Sequence, residues 1–250
     1  MNANGIPEDV AAAIVECWPD GVIEEFNRDE SYFHDIRAAL ERDLRKISGA
    51  ALMWQTEAEN DRTYWDTDRD DDDEDELPPD QPDFQSYHVF FVAPKGGEFE
   101  FETETEYPEP EDPEDPDSAL RTATYAGKGW YGCCVALSLA TPFASVRFSE
   151  YAQYEDGGTF APDPNSILYS AETGAPVDLA MAHRQAIGEG AFAKLENLRA
   201  AIVKVLAKHG VVVLDQAVLD LPAPVLKADA DLYLEGKKLT VRDAFFFRGV

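Results

Sequence analysis

The chain has little positive charge and few of the side chains that build metal and redox sites. Its 250 residues include 21 Lys and Arg against 50 Asp and Glu, with 4 His and 3 Cys. The formal net charge of −29 disfavours direct binding to nucleic acid phosphates or to an anionic membrane surface, because both repel an acidic protein. A basic protein is the partner that this charge favours.

The cysteines and histidines form no recognisable ligand pattern. Cys133 and Cys134 are adjacent inside an apolar segment, where thiols behave as small hydrophobic groups, and Cys17 is distant from both in sequence. This use of cysteine is typical of a reducing compartment. The histidines have no paired spacing with cysteine or with each other, so we expect no zinc site and no bound cofactor.

Long apolar runs are also absent. No run reaches the roughly 18 residues that a membrane span needs. The amino-terminal sequence, MNANGIPEDV, lacks the basic and apolar parts of a signal peptide. We therefore expect a cytoplasmic protein that does not bind a membrane.

No catalytic motif stands out. The segment 127–132, GKGWYG, lacks the length and the terminal Lys-Ser/Thr of a phosphate-binding loop, and GxSxG, HExxH and GxGxxG are not present. A pair of catalytic carboxylates cannot be chosen among 50 acidic residues by sequence. We name no catalytic residue and favour a protein without enzymatic activity. A hydrolase that binds a divalent metal through carboxylates is the alternative from a different class.

The most apolar part of the chain is the segment 130–140, WYGCCVALSLA. A short continuous apolar run of this kind predicts a central strand that is covered on both faces. The Thr-rich segment 121–125 precedes it, and glycines within 127–129 predict a turn that would make the two segments a hairpin. Alternation in 143–151 predicts a further, half-buried strand. Together these segments predict a three-stranded meander.

Further strands and helices complete an α+β fold. Segments 87–93 and 98–107 alternate strictly and predict a second hairpin. Apolar residues at helical spacing predict helices near both ends of the chain. We predict a single α+β domain, residues 1–250, in which N-terminal and C-terminal helices flank an antiparallel sheet of about five or six strands. Residues 171–250 are a candidate C-terminal subdomain.

The negative charge is concentrated in two segments. Residues 66–76 hold nine acids and residues 98–117 hold eleven, with one base between them. Without both segments 30 acids face 20 bases, so the excess falls from −29 to −10. Alternation within 98–106 predicts five glutamates on one face of a strand, about 6.7 Å apart. These residues are Glu98, Glu100, Glu102, Glu104 and Glu106.

The remaining acidic residues are predicted to lie in loops. Residues 66–83 cannot bury enough apolar surface to offset the entropy of ordering, so we expect a mobile acidic insert. Residues 108–117 are rich in proline and acids, and we expect them to form an extended loop.

The first acidic segment partly resembles a calcium-binding loop in its spacing. Asp66, Asp68 and Asp70 match the first ligands of an EF-hand. Asp71 then occupies the position of the required Gly, and Leu77 that of the bidentate Glu. We therefore predict loose binding of hard divalent cations and no specific metal site.

The acidic surface has two interpretations. It is either a solubilising face with a disordered insert, or a docking surface on which carboxylates raise the association rate and aromatic residues supply affinity. We favour a non-enzymatic binding protein that neutralises a basic protein partner, such as an immunity protein or an inhibitor of a cationic toxin or nuclease. A scaffold protein that self-associates through Phe245–Phe247 is a third hypothesis. The candidate partner-binding residues are Glu98, Glu100, Glu102, Glu104, Glu106, Tyr64, Trp65, Asp70 and Asp72.

Overall fold

The computed structural model describes residues 5–23, 33–56, 86–106, 122–155, 157–160, 179–228 and 238–247. The helices are α1 (Glu8–Cys17), α2 (Phe33–Leu44), α3 (Leu179–Ile187), α4 (Glu189–Lys208), α5 (Gln216–Leu219) and α6 (Val241–Phe245). The strands are β1 (Val22–Ile23), β2 (Ala50–Gln55), β3 (Tyr87–Pro94), β4 (Glu98–Glu106), β5 (Thr122–Ser138), β6 (Phe143–Tyr154), β7 (Thr159–Phe160), β8 (Val212–Val213) and β9 (Lys227–Ala228).

Seven of the strands in the described ranges form the main sheet. Its order is β2-β3-β5-β6-β7, with β4 also beside β5 and β8 also beside β6. The strands β2 to β6 are long, whereas β7 and β8 have two residues each. Helices occur near both ends of the chain, as the apolar spacing predicts. The α+β class is therefore confirmed.

The prediction of a purely antiparallel sheet is wrong. Val212 pairs with Phe143 in parallel, so β8 runs in the same direction as β6. The strands β1 and β9 form a separate parallel pair. The chain between β6 and β8 contains α3 and α4, and a helical crossover of this kind is the usual way to bring a later strand alongside in parallel.

The predicted hairpin of 87–93 with 98–107 is also wrong. Both strands form, but neither pairs with the other, because β3 pairs with residues 133–138 of β5 and β4 pairs with residues 122–130. The two strands follow one another along the same side of β5. Strict alternation identifies a half-buried strand, but it does not identify the neighbour that supplies the hydrogen bonds.

The predicted turn at 127–129 does not occur, since β5 continues through it as one strand of 17 residues. Gly129 lies beneath the ring of Phe99, and a Cβ atom at this position would collide with that ring. The glycine therefore permits the close approach of an aromatic side chain. Of the predicted meander, the hairpin of β5 with β6 is confirmed.

Helices cover both faces of the inner half of the sheet, which comprises residues 132–138 of β5 with β3 and the first part of β6. On one face, α2 and α4 bury a core that includes Leu40, Leu44, Phe90, Val135, Leu137, Ile202 and Leu206. On the other face, α1, α6 and their flanking residues bury Val10, Ile14, Trp18, Tyr87, Val89, Phe245, Phe246 and Phe247. Phe245–Phe247 therefore pack in the core rather than on the surface.

The outer half of the sheet comprises residues 122–131 of β5 with β4 and the end of β6. Most of its described side chains are exposed or half-buried, although Tyr151 is buried. This half of the sheet carries the predicted glutamate row.

Several predictions fall outside the described residues. The acidic insert 66–83 and the proline-rich loop 108–117 are among them. The single domain and the candidate subdomain 171–250 stay predictions. In the part of the chain that the structure describes, no helix is long and apolar enough to cross a membrane.

Candidate partner-binding surface

The glutamate row lies at the edge of the outer half of the sheet. Glu98, Glu100 and Glu102 are exposed on β4, and we call the surface that they form the acidic face. Glu98 pairs with Trp130 and Glu100 with Lys128 of β5. Directly paired residues point to the same side of a sheet, so Trp130 and Lys128 share this face.

Two aromatic side chains adjoin the acidic face. Trp130 pairs with Tyr151 of β6, and the two rings stack with centroids 5.8 Å apart and planes 29° apart. The Tyr151 hydroxyl accepts a hydrogen bond of 3.0 Å from Nε2 of Gln153. Trp130 is half-buried, so part of its ring is accessible beside Glu98. A partly exposed Trp is a common source of binding energy at protein interfaces, and here the buried Tyr151 ring stacks on it.

An open groove of about 550 Å³ lies along the outer half of the sheet. Its charged lining residues are Glu100 and Glu102 of β4, Lys128 of β5 and Glu155 after β6. Three carboxylates and one ammonium group give this lining a formal charge of −2. A cationic group would therefore be attracted to the groove.

Aromatic rings cover the reverse side of the same strands. Phe99 stacks on Tyr131 with ring centroids 4.7 Å apart, and Phe101 meets the Tyr154 ring edge-on at 5.6 Å. Tyr125 contacts the same Tyr154 ring at 5.8 Å. Aromatic pairs of this geometry contribute about 0.5–1.5 kcal/mol beyond the area that they bury. Phe99 and Phe101 thereby hold β4 against β5 and β6 on this side of the sheet, and the intervening glutamates point to the other side.

Asp43 shows how a carboxylate with cationic side chains in contact differs from the carboxylates of the acidic face. Asp43 of α2 accepts a hydrogen bond of 2.6 Å from Lys208 Nζ at the end of α4, and it lies 3.1 Å from Nε2 of His209. The bond from Lys208, with further contacts to His209 and Lys46, holds the pKa of Asp43 well below its usual range. No ion pair among the described residues involves the acidic face.

One titratable cluster lies between the sheet and α3. Burial raises the pKa of Glu150, and burial together with this neighbouring carboxyl raises the pKa of Tyr131. The two residues pair across β5 and β6, and the Tyr131 ring is 5.1 Å from that of His183. Among the described residues, no group of three or more His, Cys, Asp or Glu is arranged to hold a metal ion.

The candidate residues from the sequence differ in what the structure describes of them. Glu98, Glu100 and Glu102 lie together on the exposed face. Glu104 and Glu106 continue the same register on β4 opposite Thr124 and Thr122, and only their backbone is described. The other four candidates, Tyr64, Trp65, Asp70 and Asp72, lie outside the described residues.

Sequence reasoning missed the neighbours of the glutamates. The apolar run predicts that Trp130 is buried and the glycines predict that Lys128 is in a turn, yet both lie on a strand, exposed or half-buried beside the acidic face. The sequence does not indicate that Gln153 is exposed here or that the buried Tyr151 ring stacks on Trp130. No sequence signal identifies them, because their position depends on the register of β4, β5 and β6.

Comparisons with models of protein families, with curated proteins and with solved structures give no match to this chain.

Proposed function

We propose that this chain is a non-enzymatic binding protein that neutralises a basic protein partner, as an immunity protein or an inhibitor of a cationic toxin or nuclease does. The observation that carries the proposal is the exposed acidic face of Glu98, Glu100 and Glu102, which has no ion pair among the described residues and adjoins Trp130. Clustered carboxylates of one sign repel each other in the free protein. A basic partner relieves that repulsion.

The two kinds of residue at this surface have different roles. The carboxylates steer a cationic partner into contact and raise the association rate, with a strong dependence on salt. Trp130, stacked on Tyr151, supplies a rigid apolar contact that slows dissociation. Inhibition follows if the bound surface covers the basic site through which the partner reaches its own anionic substrate.

The test uses three glutamine substitutions, E98Q/E100Q/E102Q, and a partner captured from a lysate at low salt. Exposed ion pairs contribute up to about 1 kcal/mol each, so the triple variant should bind about 10- to 100-fold more weakly. The slope of affinity against salt should also flatten. Because the residues are exposed, the free energy of unfolding should change by no more than about 0.5 kcal/mol.

A matched control removes the same charge elsewhere. Asp9, Glu16 and Asp20 are exposed on and after α1, so D9N/E16Q/D20N changes the net charge by the same amount. Its affinity and salt slope should stay close to those of the unmodified protein. Equal slopes in the two triple variants would show that net charge alone governs binding, and they would refute a dedicated acidic surface.

No specific observation in the described residues supports either alternative function. The hydrolase hypothesis needs a set of carboxylate ligands, and the described residues contain no such group. The scaffold hypothesis relied on Phe245–Phe247, whose side chains are at most 2% exposed.

A further inference from the structure

Among the residues that the structure describes, the strand β4 forms an edge of the sheet. In the described part of the chain it pairs with β5 alone, along residues 122–130. An edge strand presents backbone N–H and C=O groups that have no partner strand, and such groups can bind an additional strand from another protein. The kind of strand that can be added depends on which residues of β4 direct these groups outward.

Two hydrogen bonds determine the direction of the backbone groups along β5. The N–H of Glu155 donates to the C=O of Ala126 at 2.9 Å, so Ala126 directs its backbone towards β6. The N–H of Leu139 donates to the C=O of Ser86 at 2.9 Å, so Leu139 directs its backbone towards β3. Successive residues of a strand alternate in this direction, and the register along β5 has no shift between these positions. Odd-numbered residues of β5 therefore bond to the side that β3 and β4 share.

The same alternation applies to β4. Phe99 and Phe101 pair with the odd-numbered Gly129 and Gly127, so their N–H and C=O groups are used in the bonds to β5. The intervening residues, Glu98, Glu100 and Glu102, must then direct their backbone groups outward. The residues that carry the carboxylates are thus the residues that can hydrogen-bond to an added strand.

Because the same residues carry the carboxylates and the outward backbone groups, they determine which side chains suit the added strand. In an antiparallel pair, the residue that exchanges hydrogen bonds with Glu100 also places its side chain on the same side as the Glu100 carboxylate. Lys or Arg at that position and at every second residue would face the three glutamates in turn. The residues between them would lie on the side of Phe99 and Phe101, where apolar side chains fit.

We propose that β4 binds an extended segment of the basic partner as an additional antiparallel strand, with Lys or Arg at alternate positions opposite Glu98, Glu100 and Glu102. This inference rests on the proposed function, to which it adds the mode of binding. A second copy of the chain does not fit this edge. In two antiparallel β4 strands, the residues whose backbone groups point outward would pair with each other, so glutamate would lie opposite glutamate.

The first test uses two peptides of alternating Lys and Val that differ in the site of backbone N-methylation. Methylation at the Lys residues removes the N–H groups that must donate to β4, whereas methylation at the Val residues alters groups that point away. The peptides have the same charge and composition. We expect the Val-methylated peptide to bind the protein and the Lys-methylated peptide to bind on the order of tenfold more weakly or not at all.

The second test changes the protein at one position. E100P and E100Q remove the same charge, but E100P also removes the outward N–H group, while the bonds of Phe99 and Phe101 to β5 are retained. E100P should bind the Val-methylated peptide on the order of tenfold more weakly than E100Q. In the free protein, amide hydrogen exchange should be faster at Glu100 than at Phe99 and Phe101, and the peptide should slow it.

The outcomes separate this inference from the proposed function. Equal binding of the two peptides, or equal affinity of E100P and E100Q, would overturn strand addition, and so would a lack of binding by the Val-methylated peptide. The proposed function would stand in each case if the captured partner still bound through the glutamates with a salt dependence that E98Q/E100Q/E102Q flattens. Loss of that dependence on the glutamates would overturn both.

Discussion

The two halves of β5 differ in how the neighbouring elements cover their faces. In the inner half, α2 and α4 cover one face and α1 and α6 the other, so Cys134, Val135 and Ala136 have no exposed surface. In the outer half, glutamates occupy one face and half-buried aromatic residues the other. One strand therefore serves both as the centre of the core and as the support for a charged surface. The comparison predicts that stability resides in the inner half, and the binding surface that we propose lies in the outer half.

The largest expected difference comes from removing one phenylalanine from each half. Phe90 has no exposed surface and packs against Phe33 and His88, so Phe90→Ala should lower the free energy of unfolding by about 3–5 kcal/mol. Phe101 is half-buried, and Phe101→Ala should cost less than half as much because a smaller apolar area is lost. Urea unfolding of both variants measures the difference. Equal losses would mean that the outer half belongs to the same core.

A smaller effect is expected from adding a methyl group to a glycine in each half. A Cβ atom at Gly132 would lie 2.5 Å from the carbonyl oxygen of Val92, which is fixed in the sheet. Gly132→Ala should therefore destabilise the protein by about 1–3 kcal/mol. At Gly129 the obstacle is the ring of Phe99, which is half-buried and able to rotate away. Gly129→Ala should cost less, and the reverse order in thermal or urea unfolding would contradict this view of the two halves.

The third expected effect is a dependence of stability on pH that originates in the inner half. Burial, with a contribution from Arg37, lowers the pKa of His88 to about 3. The unfolded chain binds a proton at this residue below a pH of about 6.5 and the folded protein does not, so stability is full above that pH and falls as the pH decreases towards 3. The slope contributed by one such group is about 1.4 kcal/mol per pH unit.

His88→Phe isolates this contribution, since the neighbouring rings of Phe33 and Phe90 already form an aromatic environment. Other titratable groups affect the variant and the unmodified protein alike. Unfolding free energies measured between pH 6.5 and pH 5 should therefore fall less steeply in the variant. Parallel slopes would show that the pKa of His88 is not lowered in the folded protein.

The location of most elements could be predicted from the sequence, because it depends on local patterns. The helix after Pro7 ends at Cys17 before Trp18, and Thr240 and Asp243 form a capping box at the start of α6. The strands β3, β4 and β6 begin at the predicted residues 87, 98 and 143. These features follow from side-chain periodicity and from residues that begin or end helices.

The pairing of the strands could not be predicted in the same way. The short connection between β3 and β4 is typical of a hairpin. However, β5 is long enough to pair with both strands, and each of them forms its hydrogen bonds with β5 instead of with the other. Glycines at 127–129 likewise suggested a turn, although Gly129 serves to accommodate the ring of Phe99. Both predictions are wrong for the same reason, because strand pairing and the close approach at Gly129 depend on residues that are distant in sequence.

By itself, the sequence determined that Glu98, Glu100 and Glu102 share one face of a strand, because side chains alternate along any extended backbone. Only the tertiary structure decided that this strand lies at an edge of the described sheet, that Trp130 and Lys128 share its face, and that the glutamates direct their backbone groups outward. The physical reason is that side-chain alternation is a property of each residue's own dihedral angles. Hydrogen-bond direction and neighbours are instead selected by pairing and packing summed over the whole sheet.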